Sequence, residues 1–167
     1  MDQSQFKPAL RPFLPADTAV LAAIFAAAVQ ELTGDDYSEA QQEAWAAVAD
    51  DEAALGKRLT AGLTLIATLQ GAPVGFASLK DNAEIDMLYV HPSVAGQGVA
   101  TLLCDALEKL AGGRGAKSLT VDASDTAVDF FRKRGYAAQQ RNSVTINGEW
   151  LANTTMKKAL GEGGAQS

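Results

Sequence analysis

The feature that most constrains this chain is a strand-like segment that passes through two glycines into an amphipathic helix. Ala83–His91 predicts the strand, and Gly96 and Gly98 follow it. The next apolar residues have helical spacing: Val99, Leu102, Leu103, Ala106, Leu107 and Leu110. Glycines let a ligand approach the backbone, and the first N–H groups of a helix are unpaired and positively polarised. The junction is therefore a candidate phosphate site, although loops also use glycine simply to turn.

The N-terminal part of the chain predicts mainly helices. A short strand at Ala9–Phe13 precedes a helix with Asp17 as its N-cap. Its expected apolar face consists of Leu21, Ile24, Phe25, Ala28 and Leu32. A second helix is predicted to begin at the N-cap Ser38, with Ala44, Trp45 and Val48 inward. A third is expected over Asp51–Thr60.

The rest of the chain predicts strands with two helices between them. The strands are Leu63–Leu69, Val74–Lys80, Ala83–His91, Lys117–Asp122, Tyr136–Ile146 and Glu149–Lys157. The long helix after Gly98 has an expected Asp105–Lys109 pair outside, and a second helix, capped by Ser124 or Asp125, runs to Arg134 before Gly135. Asn147-Gly148 suits a type I′ turn, which needs two positive φ angles. This order predicts a mixed α/β fold with one central sheet.

Length and composition narrow the class of protein. At 167 residues the chain predicts one domain, residues 1–167, with an ordered core over about 8–160 and flexible ends at 1–7 and 161–167. A formal charge of −6 disfavours nucleic-acid binding. With one cysteine, Cys104, and one histidine, His91, we expect no disulfide and no metal site.

The same composition predicts a cytoplasmic protein without a membrane partner. The longest apolar run, Ala19–Val29, is shorter than the roughly 20 residues of a bilayer span. Met1–Lys7 begins with an acidic residue and lacks the basic and apolar regions of a signal peptide.

Two segments around the junction have the form of known motifs. Ala95-Gly96-Gln97-Gly98-Val99-Ala100 follows a strand that leaves through Val90-His91-Pro92, and Ser124–Tyr136 contains Ala127, Phe130 and Gly135 at fixed spacing. In this order they resemble Arg/Gln-x-x-Gly-x-Gly/Ala and Asn-x-x-Ala-x-x-Phe-Tyr-x-x-x-Gly-Phe of the GNAT superfamily of acyl-CoA-dependent N-acyltransferases. The resemblance is specific over Leu88–Tyr136 and looser over nearly the whole chain.

This resemblance implies a mostly antiparallel, splayed sheet of six to seven strands flanked by helices. It also implies that acetyl-CoA is the cosubstrate and that the pantetheine arm lies between two parted strands. Leu88 and Val90, with Tyr89 between them, would line the arm. The pyrophosphate would be held by Gly96, Gln97, Gly98, Val99, Ala100 and Thr101, and Ser124 and Phe131 of the second motif would complete the cofactor site.

Three residues depart from the family pattern. Ala95 stands where Arg or Gln is usual and offers only its backbone N–H, and Gln97 is a nearby substitute. Ser124 replaces Asn but keeps a hydrogen-bonding group. Phe131 replaces the tyrosine that protonates the departing thiolate in many members. Either another group, with Tyr136 and Tyr89 as candidates, supplies that proton, or none is needed.

Two carboxylates are candidate bases for removing the ammonium proton of an amine acceptor. Asp86 lies two residues before Leu88 and is expected nearest the thioester, and Glu84 is one step farther. Strand alternation places both on one face with Leu88, unless a bulge shifts it. Alternatively, both are solvated or pair with Lys80 and Arg141. We interpret His91 as a surface residue and Cys104 as a core residue.

The expected acceptor is a small cationic primary amine, attacked directly on the thioester without a covalent enzyme intermediate. Four aromatic residues are candidates either for the wall of the acceptor pocket or for the core, with core preferred for Phe25 and Trp45; they are Phe25, Tyr37, Trp45 and Trp150. The acidic loop residues Asp35, Asp36 and Glu39 would attract a cationic amine if the loop borders the pocket, and a solvated loop explains them equally well. Two other functions stay open: a non-catalytic acyl-CoA-binding or partner-binding module, and an acetyltransferase for protein N-termini or lysines. The chain is expected to be a monomer or a homodimer.

Overall fold

The computed structural model describes residues 7–161. The helices are α1 (Thr18–Leu32), α2 (Glu39–Ala46), α3 (Glu52–Ala61), α4 (Val99–Gly113) and α5 (Val128–Lys133). The strands are β1 (Ala9–Pro12), β2 (Leu63–Leu69), β3 (Ala72–Lys80), β4 (Glu84–Val90), β5 (Ser118–Ser124), β6 (Ala137–Ile146) and β7 (Glu149–Ala159). The predicted flexible ends lie, apart from Lys7 and Gly161, outside the described residues.

All seven strands form one sheet with the order β1-β2-β3-β4-β5-β7-β6. Neighbouring strands are antiparallel except β4 and β5, which are parallel. These two strands pair only at Glu84–Thr120 and Ile85–Val121. Beyond this point each strand continues without pairing to the other, so the sheet is splayed. The mixed α/β, mostly antiparallel fold predicted from the sequence is confirmed.

Helices cover both faces of the sheet and bury a separate apolar cluster on each. On one face, Leu103, Leu107 and Ala111 of α4 pack against the sheet. On the other face, α1 and α3 pack over Ile66 and Phe76. Cys104 is fully buried in the α4 cluster, and burial raises the pKa of its thiol to about 12. It is the core residue predicted from the sequence.

The first long helix is more apolar than a surface helix needs to be. Residues Pro15–Leu32 have the length and mean hydropathy, 1.3 over 18 residues, of a helix that crosses a membrane, although the run Ala19–Val29 alone is shorter. In this fold one side of α1 packs in the core through Leu21, Ala22, Ile24, Phe25, Ala28 and Val29. Leu32, predicted on that side, is 38% exposed instead. These six core residues are half of the apolar residues of α1.

Capping predictions hold at α2 and fail at α1. Ser38 accepts a hydrogen bond from Gln41 N, as an N-cap does. Asp17, the predicted cap of α1, instead accepts from Leu14 N at 2.8 Å and pairs with Arg11 at 2.9 Å. It therefore closes the 3-10 turn Pro15–Asp17 that precedes α1.

Of three further local features, the hairpin turn is as predicted, and the start of α5 and the partner of Asp105 are not. Asn147 and Gly148 have φ of 46° and 86°, which confirms the type I′ turn. The helix α5 begins at Val128, later than predicted, because Ala127 N donates to both the hydroxyl and the carbonyl of Ser124 and forms a turn first. Asp105 pairs with Arg134 at 2.8 Å and not with Lys109.

Candidate active site

A cleft of about 450 Å³ occupies the gap where β4 and β5 part; we call it the β4–β5 cleft. Its strand walls are residues 85–90 of β4 and 121–124 of β5. Residues at the starts of α4 and α5 and along α1 complete it: Gly96, Ala100, Ala127, Phe130, Phe131, Ala28, Val29, Leu32 and Thr33. Leu88, Tyr89, Val90, Gly96, Ala100, Ser124 and Phe131, all predicted to bind the cofactor, thus lie around one cleft.

The backbone of β4 presents unpaired groups to this cleft. His91 N donates to Val74 O at 2.8 Å while Val90 lies opposite Gly75. In an antiparallel ladder this makes Val90 a non-hydrogen-bonded position, whose N–H and C=O point away from β3. By alternation the same holds for Leu88, opposite Ala77. Both residues therefore direct backbone donors and acceptors into the gap between the strands.

The glycine turn ends in a row of free amides at the start of α4. Gly96 and Gly98 have φ of 76° and 87°, and open space surrounds the position of a Cβ at each. Leu102 N donates to Gly98 O. Within the described part of the chain, the N–H groups from Gly96 to Thr101 donate to no protein acceptor. Their arrangement fits an anion at the helix N-terminus.

Ala95 occupies the motif position that Arg or Gln usually fills. Its backbone N–H, the one group it offers there, donates to Pro92 O at 3.2 Å and closes a 3-10 turn. Gln97, Gly98, Val99 and Thr101 lie in the turn and first helical residues, next to the residues that line the cleft. His91 is half-buried, and its Nδ1 accepts from Ser93 N, so it belongs to the same turn.

A second compartment of about 230 Å³ adjoins the cleft; we call it the hairpin pocket because the β6–β7 hairpin forms one wall. The two spaces have six lining residues in common: Trp45, Ile85, Asp86, Tyr89, Asp122 and Ser124. A ligand in the pocket would therefore meet one in the cleft.

A β-bulge in β4 sets the positions of the two candidate bases. Met87 lies opposite Ser78, whereas Ile85 lies opposite Leu79, so Asp86 is an extra residue in the ladder. Consequently Ile85 packs in the α4 cluster and Met87 in the opposite cluster. The simple alternation expected from the sequence fails here, and both Glu84 and Asp86 line the hairpin pocket.

Asp86 is held by a guanidinium that the sequence did not indicate. Arg58 Nε and Nη2 donate to its two carboxylate oxygens at 2.7 and 3.1 Å. Of the alternative partners expected for the two carboxylates, Arg141 pairs with Asp125 instead. Lys80 lies opposite Glu84 in the β3–β4 ladder, but among the described residues the two form no ion pair within 4 Å. Asp86 is therefore engaged on both oxygens before any substrate binds.

Glu84 has no such partner. Within the described residues its carboxylate makes no ion pair within 4 Å and no protein hydrogen bond. Burial, followed by the nearby carboxylates of Asp122 and Asp86, raises the pKa of Glu84 above its ordinary value. Asp122 itself accepts from Thr155 Oγ1 at 2.6 Å. Glu84 is thus the free carboxylate of the pocket.

The two candidate proton donors lie in different places. Tyr89 lines both compartments, its hydroxyl accepts from Trp45 Nε1 at 3.2 Å, and burial raises its pKa to about 12. Tyr136 lines neither compartment. It is buried in the α4 cluster and donates to Glu108 at 2.9 Å. The prediction of a catalytic Tyr136 is wrong because this bond directs its hydroxyl toward α4.

We expect Tyr136→Phe to reduce stability and leave catalysis unchanged. Glu108 keeps Arg134 and Lys158 as partners, so the loss should be that of one hydrogen bond to a charged acceptor, about 1–2 kcal/mol. Urea unfolding measures the first effect and thiol release from acetyl-CoA the second. A large fall in kcat without a change in stability would contradict this prediction and indicate that Tyr136 is the acid.

Most of the predicted pocket aromatics are in place. Phe25, Tyr37 and Trp45 line the hairpin pocket, whereas Trp150 is 64% exposed and does not. The acidic loop residues Asp35, Asp36 and Glu39 line neither compartment, and Asp36 accepts from Thr126 Oγ1. Asp122, at the end of a predicted strand, also lines the pocket and was not among the predicted site residues. The same is true of the apolar hairpin residues Val144, Ile146 and Leu151, although their alternation along the strands indicates that they share one face.

Comparisons with known proteins agree with this geometry. A family model for the acetyltransferase (GNAT) domain matches residues 33–160. The chain is 35% identical over 148 residues, 89% of its length and 93% of the relative's, to the uncharacterized N-acetyltransferase YafP of Escherichia coli (strain K12). The relationship predicted from the two motifs is thereby confirmed.

Solved structures have the same fold. A GCN5-related N-acetyltransferase from Rhodopseudomonas palustris has a TM-score of 0.91 and 67% identity, with 95% of this chain and 99% of that chain covered. The PaiA N-acetyltransferase of Thermoplasma acidophilum, in complex with coenzyme A, matches in fold with a TM-score of 0.76 at 19% identity, covering 92% and 99% of the two chains. This chain therefore belongs to the GNAT family of N-acetyltransferases.

Proposed function

We propose that the protein transfers the acetyl group of acetyl-CoA to the primary amine of a small cationic acceptor by direct attack on the thioester. The observation that carries this proposal is the continuity of two compartments with different chemistry. The β4–β5 cleft offers backbone amides, and the adjoining hairpin pocket offers carboxylates. Holding the two reactants side by side would supply much of the rate.

The features of the β4–β5 cleft suit acetyl-CoA. The free amides from Gly96 to Thr101 would bind the diphosphate, and the outward N–H and C=O groups of Leu88 and Val90 would pair with the amides of the pantetheine arm. Ser124 and Phe131 line the same space. A backbone N–H near Leu88 is also available to stabilise the oxyanion that develops on the thioester carbonyl.

Glu84 is the proposed base. The acceptor arrives as an ammonium ion and must lose a proton before its nitrogen can attack. Among the described residues Glu84 has no ion-pair or hydrogen-bond partner, and its pKa is raised, so it binds that proton more readily than an ordinary glutamate would. Asp86 is occupied by Arg58, and we assign it the role of positioning Arg58 and the adjacent strand.

Tyr89 is the proposed substitute for the tyrosine that Phe131 replaces. Its hydroxyl already accepts a hydrogen bond from Trp45, so its own proton is available to the neighbouring space. With a pKa of about 12 it stays protonated at neutral pH and can donate a hydrogen bond to the departing sulfur. Tyr89 lines both compartments, which is the placement this role requires.

Contacts across the hairpin pocket favour a small acceptor over a protein. Asn147 Nδ2 donates to Ala44 O at 2.8 Å, and Gln41 Nε2 donates to Trp150 O at 2.7 Å. Tyr37 donates to Ala152 O at 2.6 Å. These bonds hold the hairpin against the α2 region, and a peptide chain that entered between the two would have to break them.

The direct test is thiol release from acetyl-CoA with a panel of primary amines and peptides. We expect amine-dependent release, with the acetylated amine identified by mass spectrometry. Turnover with peptides alone would replace the small acceptor by a protein N-terminus or lysine. CoA binding without turnover of any acceptor would contradict the proposed reaction.

A further inference from the structure

The carboxylates of the hairpin pocket all lie at one end of it. Glu84 and Asp86 are on β4, and Asp122 is on β5 close to the point where the two strands part. Arg58 compensates one of these charges through its pair with Asp86. The end next to the β4–β5 cleft therefore keeps a net negative charge, which suits one ammonium group held beside the thioester.

The other end of the pocket is apolar. Asp122 lies opposite Thr155 on β7, and Leu151 is four residues farther along that strand, about 13 Å at the usual strand rise. On β6, Val144 lies opposite Leu151 and Ile146 is two residues farther along, so both line this end. No described Asp or Glu lines this end, so a second ammonium group there would lose water without gaining a partner.

A carboxylate on the acceptor is also unfavourable. Arg58 is the one described cation that lines the pocket, and its Nε and Nη2 are already used by Asp86. An amino-acid acceptor would bring its carboxylate toward Glu84 and Asp122 while competing for that guanidinium. The volume of about 230 Å³ is below the usual range for drug-sized ligands, so the acceptor is small.

We infer that the acceptor is a monoamine with an uncharged apolar body: its ammonium lies between Glu84 and Asp122, and its body lies against Val144, Ile146 and Leu151. This inference rests on the proposed function and specifies its substrate class. It excludes α,ω-diamines and amino acids as preferred acceptors.

The first experiment compares four primary amines that differ in their other charged group: none, a second ammonium or a carboxylate. Phenylethylamine, 1,4-diaminobutane, 1,8-diaminooctane and phenylalanine are each assayed for kcat/KM by thiol release. We expect phenylethylamine to exceed each of the others by at least about tenfold, because they place a charge against the apolar wall or beside the carboxylates. A diamine or phenylalanine at or above phenylethylamine would overturn the inference.

A charge added to the apolar end provides the second experiment. Ile146→Glu should lower kcat/KM for phenylethylamine and raise that for 1,8-diaminooctane, since it supplies a partner for the distal ammonium. Thr145→Glu is the matched control, because Thr145 is exposed, lies on the same strand and does not line the pocket. The same change in preference in both variants, or in neither, would contradict the assignment of this wall.

Failure of this inference and failure of the proposed function give different results. If another amine is acetylated better, the reaction stands and the substrate class is wrong. If no amine is acetylated and calorimetry with the CoA-loaded protein detects no phenylethylamine binding, both are wrong. If neither amine is acetylated but phenylethylamine binds the CoA-loaded protein more tightly than 1,8-diaminooctane does, the binding preference stands and the reaction does not.

Discussion

Glu84→Gln is expected to lower kcat for amine acetylation by about a hundredfold to ten-thousandfold, the range for the loss of a general base. Glutamine keeps the size and polarity of the side chain but cannot take the ammonium proton. The Kd for CoA should not change, because Glu84 lines the hairpin pocket and not the β4–β5 cleft. Thiol release and calorimetry with CoA measure the two quantities.

The pH dependence of kcat/KM is the second readout of the same variant. The base must be ionised to act, so activity falls as pH drops through the pKa of Glu84. This pKa is raised by burial and by Asp122, which places the acid limb above the pH of an ordinary glutamate. Glu84→Gln should remove the limb. Its exposed counterpart Glu52→Gln should leave both kcat and the profile unchanged.

The change in the free energy of unfolding caused by Glu84→Gln also has a predicted sign. A carboxylate with a raised pKa in the folded state favours unfolding once it is ionised, and this penalty disappears below the unfolded-state value. Glu84→Gln should therefore be more stable than the parent protein at neutral pH, with the difference vanishing in acid. Loss of activity through unfolding would show the opposite sign.

Asp86→Asn distinguishes the proposed role of Asp86 from that of Glu84. It removes the charge that holds Arg58, so it should alter KM for the amine more than kcat and should keep the acid limb. If Asp86→Asn abolishes the limb while Glu84→Gln retains it, the base is Asp86.

Local signals in the sequence were sufficient for most of the fold. The Asn147-Gly148 turn, the cap at Ser38 and the strand–glycine–helix junction each depend on residues close in the chain, and the structure has all three. The splay between β4 and β5 came instead from the resemblance of two motifs, since no residue in either strand encodes where pairing stops.

The errors about Asp86 and Tyr136 share a physical cause, which is contact between residues far apart in the chain. Asp86 pairs with Arg58, which lies on α3, 28 positions earlier in the chain. The hydroxyl of Tyr136 is directed by Glu108, also 28 positions away. The bulge at Asp86 depends on the register between β3 and β4. Periodicity reports which face of an element is apolar, but it does not report which polar groups meet across the fold.

Gly98→Val is expected to weaken CoA binding by at least about tenfold, or about 1.4 kcal/mol. Gly98 has a φ of 87°. A left-handed backbone conformation costs a non-glycine residue about 1–2 kcal/mol, and this cost is larger for a β-branched residue such as valine. The turn must then adopt another conformation, which redirects the amides from Gly96 to Thr101. Calorimetry with CoA gives the Kd, and thermal unfolding shows that the variant is folded.

Gly71→Val is the matched control for this prediction. Gly71 has a φ of 85°, open space around its Cβ position, and a place in the β2–β3 turn, so valine there has the same backbone penalty. It lines neither compartment, and we expect its Kd for CoA to equal that of the parent protein. An equal loss of affinity in both variants would mean that general destabilisation, and not the amides at the start of α4, controls cofactor binding.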